Sequence, residues 1–463
     1  MSEGSAAHPY IPNSAPEIQR AMLDAVGVDG VDELYGSIPP RLRFPGRLNL
    51  PEPLRSEYEL RRHVTGVLAR NRSCAERLSF LGGGCWPHYV PAVCDEIVNR
   101  GEFLTAYYGD TYGDHGKLQA LFEYQSLLGE LVQCEAVSQP VYDWGSAAAT
   151  SISMAARITG RSVALIPASI GSERRSIIEG YCEPWVKIVT IPFDPATGLL
   201  SLEHIRDGLN GEVACVYLEM PSFLGCLETQ AEEIAALARQ AGALTVVGVD
   251  PISLGVLEAP PRYGADIVCG ELQPLGIHMH YGGGLAGFVA SNDSEQYVSE
   301  YPMYLIGLGP TAVAGEYGFG EVVWERTSYI QRGDSKEYAG TTQNLWAIAA
   351  GAYLALLGPD GLAELGRTIM ARARYAAERL GALPGVRAPA LGAPFFKEFV
   401  VDFSGTGRSV AELNAALQER GIFAGLDLSE QYPELGQSAL VCVTEVHTKA
   451  DIDLLAENLA EVL

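Results

Sequence analysis

The sequence predicts an α/β protein: a large domain on a mostly parallel sheet, a small C-terminal α+β domain, and an N-terminal arm. Three observations predict it. Six short apolar, β-branched runs between residues 162 and 291 alternate with helical stretches. Strands so nearly continuous in apolar residues are those of a parallel sheet covered on both faces. A long helical stretch begins after Gln343, and the first seventy residues are broken by prolines.

Taken in order, residues 1–70 form the arm, 71–342 the large domain and 343–463 the linking helices and C-terminal domain. In the arm, "SAPEIQRAMLDAVG" has helical spacing with a Ser start and a Gly stop. "DELYGSIPPRLRFPGRLNLPEPL" is an extended segment that either clasps a partner subunit or wraps its own domain. "GKLQALFEYQSLLGELVQ" places Leu118, Leu121, Phe122, Leu128 and Leu131 on one helical face. "GSAAATSISMAARITGR" is a second helix, rich in small residues and therefore closely packed. The strands follow as "SVALIPAS", "KIVTIPF", "VACVYLEM", "LTVVGVD", "ADIVCGEL" and "LAGFVAS". Gly358 and Pro359 divide the long helical stretch in two. "FFKEFVVDFSG", a helix from Val410, "SALVCVTEV" and a final helix complete the C-terminal domain.

Acidic residues outnumber basic ones 57 to 32, so the surface repels phosphate backbones and anionic lipid, against nucleic-acid or membrane partners. The N-terminus has neither the basic start nor the apolar stretch of a secretory signal. The nine cysteines include no C-x-x-C pair, which points away from zinc or a disulfide framework and toward a reducing cytoplasm.

Large α/β domain, linking helices and small α+β domain are the layout of fold-type I pyridoxal phosphate enzymes. Such a site needs amides at a helix N-terminus for the phosphate and an Asp at a strand end for the pyridine nitrogen. It also needs a lysine some residues later for the Schiff base, and a cation for the substrate carboxylate. Asp250 ends an apolar strand, where an α/β sheet binds ligands; it reads equally as a cap for the next turn. Gly145 and Ser146 start a small-residue helix that suits a phosphate or close helix packing. The lysine is missing. The chain holds only Lys117, Lys187, Lys336, Lys397 and Lys449, and none lies between Lys187 and Lys336. Arginine cannot replace it as an amine nucleophile. Lys397 alternates with apolar residues and reads as an exposed strand position.

"YIPNSAPEIQRAML", "DELYGSIP", "FLTAYYG", "LQALFEYQSLLGEL", "VDPISLGVLEAPPRYGADIVCGELQPLG", "YGGGLAGF", "AYLALLGPDGLAEL" and "YPELGQSALVCVTEV" resemble, in order, subunit 1 of the glycine dehydrogenase (decarboxylating) family. This is the P-protein of the glycine cleavage system. The resemblance implies a subunit without its own Schiff-base lysine, paired with a subunit 2-like chain that holds pyridoxal phosphate. It further implies glycine decarboxylation, with the aminomethyl group passed to a lipoyl carrier protein.

Some loops depart from the family. A "TAYTPYQPEISQG"-like run is "TAYYGDTYGDHGKLQ" here, "KEYAGTTQ" replaces a "TSNICTNQ"-like run, and Met220, Pro221 and Ser222 replace a Gln-Pro-Asn turn. Altered loops on a retained core suggest altered substrate or chemistry, or drift in a mainly structural subunit. The pocket candidates are His88, Thr105, Tyr107, Tyr108, Asp114, His115, Ser146, Asp250 and Gln273. His278 and His280 are spaced to face one side of a strand, with no third metal ligand nearby in sequence. Three readings stay open: a glycine decarboxylase subunit, a subunit of a repurposed pyridoxal phosphate enzyme acting on a different amino acid in specialised metabolism, or a noncatalytic scaffold.

Overall fold

The six apolar runs become the body of a seven-stranded sheet. The computed structural model describes residues 10, 11, 13–44, 46, 48–104, 115–303, 305–320, 326–328, 333, 335–337, 339 and 341–463. It falls into two units, residues 1–72 and 73–463.

The first unit carries α1 (Pro16–Val26), the short α2 (Val31–Leu34) and α3 (Glu57–Leu68). Pro16 sits in the first turn of α1, and Gly27 ends the helix at φ +79°. Ser56 caps α3 by accepting from the Glu59 amide. None of the described residues between 10 and 72 is buried.

The second unit begins with β1 (Leu78–Ser79), α4 (Ala92–Val98) and α5 (His115–Val132). The large sheet is then built from β2 (Ala136–Val137), β3 (Val163–Pro167), β4 (Lys187–Ile191), β5 (Val213–Met220), β6 (Leu244–Val249), β7 (Ile267–Glu271) and β8 (Gly287–Ser291), in the order β2-β8-β7-β6-β5-β3-β4. Strands β3 to β7 pair in parallel, and β8 runs antiparallel to β7 and β2. Every residue of β5 is buried, Glu219 included, as expected of a run that is otherwise apolar. Between the strands lie α6 (Trp144–Thr159), α7 (Ser172–Cys182), α8 (Leu202–Gly208) and α9 (Ala231–Gln240). The buried alanines of α6 let it lie close against α7 and the sheet. After β8 come α10 (Glu295–Val298) and the antiparallel pair β9 (Gly307–Pro310) and β10 (Tyr317–Gly320).

The linking stretch is α11 (Asn344–Gly381), kinked where Gly358 takes φ +58° and ψ −174° just before Pro359. By length and composition it could cross a bilayer. Here it packs on α4 and α5. Beyond it, β11 (Glu398–Asp402) pairs antiparallel with β14 (Ser438–Cys442), which also pairs with β13 (Leu426–Asp427). β12 (Ile422–Phe423) pairs with β1. Helices α12 (Val410–Glu419) and α13 (Lys449–Val462) start with capping boxes at Ser409 and Thr448. Gly225, at φ +83°, lets the loop after β5 press against the start of β11. A Cβ there would sit 2.0 Å from the Glu398 carbonyl oxygen, so only glycine allows the two segments to meet.

Candidate functional site

The carboxyl ends of β5, β6 and β7 converge, and Asp250 follows directly on β6. Its side chain is 2% exposed. Oδ1 accepts from the Ile252 amide at 3.2 Å, so the capping role read from the sequence is real. Oδ2 lies 2.7 Å from Lys397 Nζ. The approach lacks hydrogen-bond alignment at Oδ2 and is held by charge. A buried carboxylate needs such a partner.

Lys397 reaches Asp250 from the residue just before β11. It is 2% exposed, which corrects the exposed strand position expected from alternation. The alternating pattern misleads because both faces of this segment are covered: Phe396 to Val401 are all buried. Its ammonium lies 3.6 Å from the centroid of the Trp86 ring and 3.0 Å from His88 Nε2. An ammonium only donates, so Nε2 accepts and the ring proton sits on Nδ1. Nδ1 stands 2.8 Å from Glu445 Oε2, and the Tyr89 amide donates to Oε1 of the same carboxylate. Burial works to raise the Glu445 carboxyl; the His88 ring and the Tyr89 amide outweigh it and hold it below its ordinary 4.5. Gln273 fixes the Trp86 wall by accepting from its amide and donating to its carbonyl. The structure therefore joins three of the candidates, His88, Asp250 and Gln273, around a lysine that alternation alone would place in solvent.

The start of α6 forms the other end of the site. Asp143 Oδ1 accepts from the Ser146 amide at 2.7 Å, and Glu271 Oε2 accepts from the Trp144 amide at 3.1 Å. The Ala147 amide donates to the Asp143 carbonyl. Glu271 also accepts from the amides of Ala286 and Gln273. Burial outweighs these three amides and pushes its carboxyl up to about 8. The Arg174 guanidinium stacks 3.8 Å from the Trp144 ring centroid and pairs with Glu219 at 2.6 Å. The Tyr217 hydroxyl accepts from the Trp144 indole and donates to Glu219.

Outside this floor lies a cleft of about 450 Å³, lined by Gly83, Trp144, Arg174, Tyr281 and Asp427 among others. The inner void against Asp250 and Lys397 is only about 10 Å³, about the space of one water. Thr105, Tyr107, Tyr108 and Asp114 lie outside the described residues, as does the side chain of His115. His278 and His280 are not on a strand: His278 pairs with Asp95 at 2.9 Å and the His280 ring stacks on Trp346. Among the described residues no group of three metal-binding side chains occurs.

A pyridoxal phosphate placed here would meet an ammonium where its ring nitrogen needs the carboxylate. It would also meet Asp143 and Glu271 where its phosphate needs open amides. These residues do not fit that cofactor.

The sequence profile described as "Glycine cleavage system P-protein" matches residues 8–459. The chain belongs to the glycine cleavage system P-protein family. It is 38% identical to a probable glycine dehydrogenase (decarboxylating) subunit 1 of Staphylothermus marinus, over 99% of this chain and 98% of that one. It is likewise 38% identical to the protein of that name from Thermococcus onnurineus, over 98% and 99%. A crystal structure of glycine decarboxylase (P-protein) in inhibitor-bound form superposes with a TM-score of 0.86 at 34% identity, covering 98% of this chain and all of that one. A sphingosine-1-phosphate lyase from Burkholderia pseudomallei (TM-score 0.64, 16% identity, covering 92% of this chain and 94% of that one) shares the fold alone. This is the fold-type I architecture of pyridoxal phosphate enzymes that the layout predicted, and the family resemblance read from the motifs is correct.

Within this P-protein family chain, sequence reasoning missed Lys397, Glu445, Glu271, Arg174 and Asp143. One signal was available for Lys397: a lysine set between Phe396 and the strand "EFVV" is flanked by residues that are buried. Asp143 is a local helix cap, accepting from the Ser146 amide three residues on; Glu445, Glu271 and Arg174 carry no local signature, since each depends on a partner far away in the chain.

Proposed function

We propose that this chain is subunit 1 of a two-chain glycine dehydrogenase (decarboxylating), acting with a lysine-bearing second chain that holds pyridoxal phosphate. The observation that carries the reading is end-to-end correspondence. Relatives named subunit 1 align over 98–99% of both chains, so the likeness is of whole subunits rather than of a shared domain. Two features support the division of labour. The carboxylate at the end of β6 is already neutralised by Lys397. No lysine lies between Lys187 and Lys336, so the segment after β7 carries no amine of its own. Pyridoxal phosphate chemistry then belongs to the partner, and this chain supplies a wall: Tyr281, 90% exposed beside the cleft. A surface for a lipoyl carrier protein completes the reading.

The test is exchange of labelled bicarbonate into the carboxyl group of glycine. Exchange is expected with both chains together and with neither alone. Replacing Tyr107, Asp114 and His115 together is expected to slow it by roughly 100-fold through lost positioning; an unchanged rate would favour a scaffold. The altered runs at 105–117 and 336–343 favour one second reading, an enzyme pair for a different small amino acid. Turnover of such a substrate, with no glycine exchange, would establish it.

A further inference from the structure

We propose that Lys397 is a built-in cation standing where a cofactor's ring nitrogen would pair with Asp250, so that this chain keeps the shape of a cofactor site while closing it to pyridoxal phosphate. The inference rests on the two-chain reading of the site, and its test does not use glycine turnover, so the two can fail separately.

Asp250 sets the requirement. A carboxylate 2% exposed at a strand end is unstable without a compensating charge. In a cofactor enzyme of this fold the protonated ring supplies it; here a side chain does. Lys397 meets three partners, each suited to a cation: a carboxylate at 2.7 Å, an imidazole nitrogen at 3.0 Å and an indole face at 3.6 Å. The remaining space is about 10 Å³, too little for an aromatic ring. The phosphate end is closed independently. The Trp144, Ser146 and Ala147 amides at the start of α6 already donate to Glu271, to Asp143 and to the Asp143 carbonyl. A phosphate placed there would displace a carboxylate from each of the first two.

Lys397→Ala leaves Asp250 buried without its cation and opens a slot the length of the lost side chain. In the full-length chain, Tm should fall by on the order of 5 °C. Millimolar butylammonium or 4-methylpyridinium should restore part of the loss, while butanol at the same concentration should not. Equilibrium dialysis of the unmodified chain against pyridoxal phosphate should leave none bound. Stoichiometric retention there would overturn the proposal, and so would rescue of Lys397→Ala by butanol as effective as by butylammonium. If Lys397→Ala does not fold, Lys397→Met is compared with the double variant Lys397→Met/Asp250→Asn. Removing both charges should recover most of the Tm lost by the single change; a double variant as unstable as the single one would sink the idea.

Discussion

Helices α3 and α5 carry the same kind of pattern and meet opposite fates. Leu60, Val64 and Val67 line one side of α3 and are 43–48% exposed, whereas Leu121 and Leu128 of α5 are fully buried. The difference extends to the units that hold them. Residues 10–72 bury no described residue, while residues 73–463 hold three apolar cores. An apolar stripe at helical spacing says that a helix has a face to cover; it does not say what covers it. In α5 the cover is α11 and β2, elements of the same unit. In α3 it is not found within residues 10–72.

The widest test of this contrast is truncation. Leu121→Ala removes a fully buried side chain and should cost about 4 kcal/mol, read from urea unfolding of the full chain. Leu60→Ala at the equivalent stripe of α3 should cost under about 0.5 kcal/mol in the same assay. Equal losses would mean that the arm is buried as deeply as the core.

Charge sharpens the contrast next. Glu57 and Glu59 in the first turn of α3 are exposed, while Glu271 is 1% exposed. Burial raises the Glu271 carboxyl from its ordinary 4.5 to about 8. A carboxyl raised in the fold holds its proton more tightly there than in the unfolded chain. Its contribution is therefore fully favourable below pH 4.5 and is lost as pH climbs toward 8. The fold should weaken by roughly 3 kcal/mol between pH 5 and pH 8 from this group alone. The urea midpoint of Glu271→Gln should lack that slope. An identical pH profile in the variant would show that the three amides, not burial, set the titration.

These contrasts also show what the sequence could reveal. β3 to β8 and the break at Gly358 were legible because continuous apolar runs and a Gly-Pro pair act locally. The place of Asp250 was legible for the same reason, since a strand end is a local feature. Its state was not. The charge opposite Asp250 comes from Lys397 and the wall from Trp86 and Gln273, and these meet only after the C-terminal sheet docks. The alternation around Lys397 carried no burial information, because β11 and the residues before it are covered on both faces. The empty lysine window is a statement about composition rather than contact, and it does not foresee that Lys397 reaches Asp250 from the C-terminal domain.

The smallest expected effect is the one that bears most on assembly. Ile18, Met22 and Val26 recur every four residues along α1 and are 42–65% exposed, so the arm presents two apolar stripes, on α1 and α3. If those stripes are covered by the second chain, Met22→Ser with Val64→Ser should leave the Tm of this chain alone within about 1 °C, as exposed substitutions do. The same variant should lower co-purification with the second chain, because each stripe loses its central apolar contact and gains a hydroxyl that must be desolvated. Sedimentation of the mixed chains reads both forms at once. A variant that loses Tm on its own but assembles normally would mean that the arm covers its own chain instead, and the contrast between α3 and α5 would shrink to one of depth.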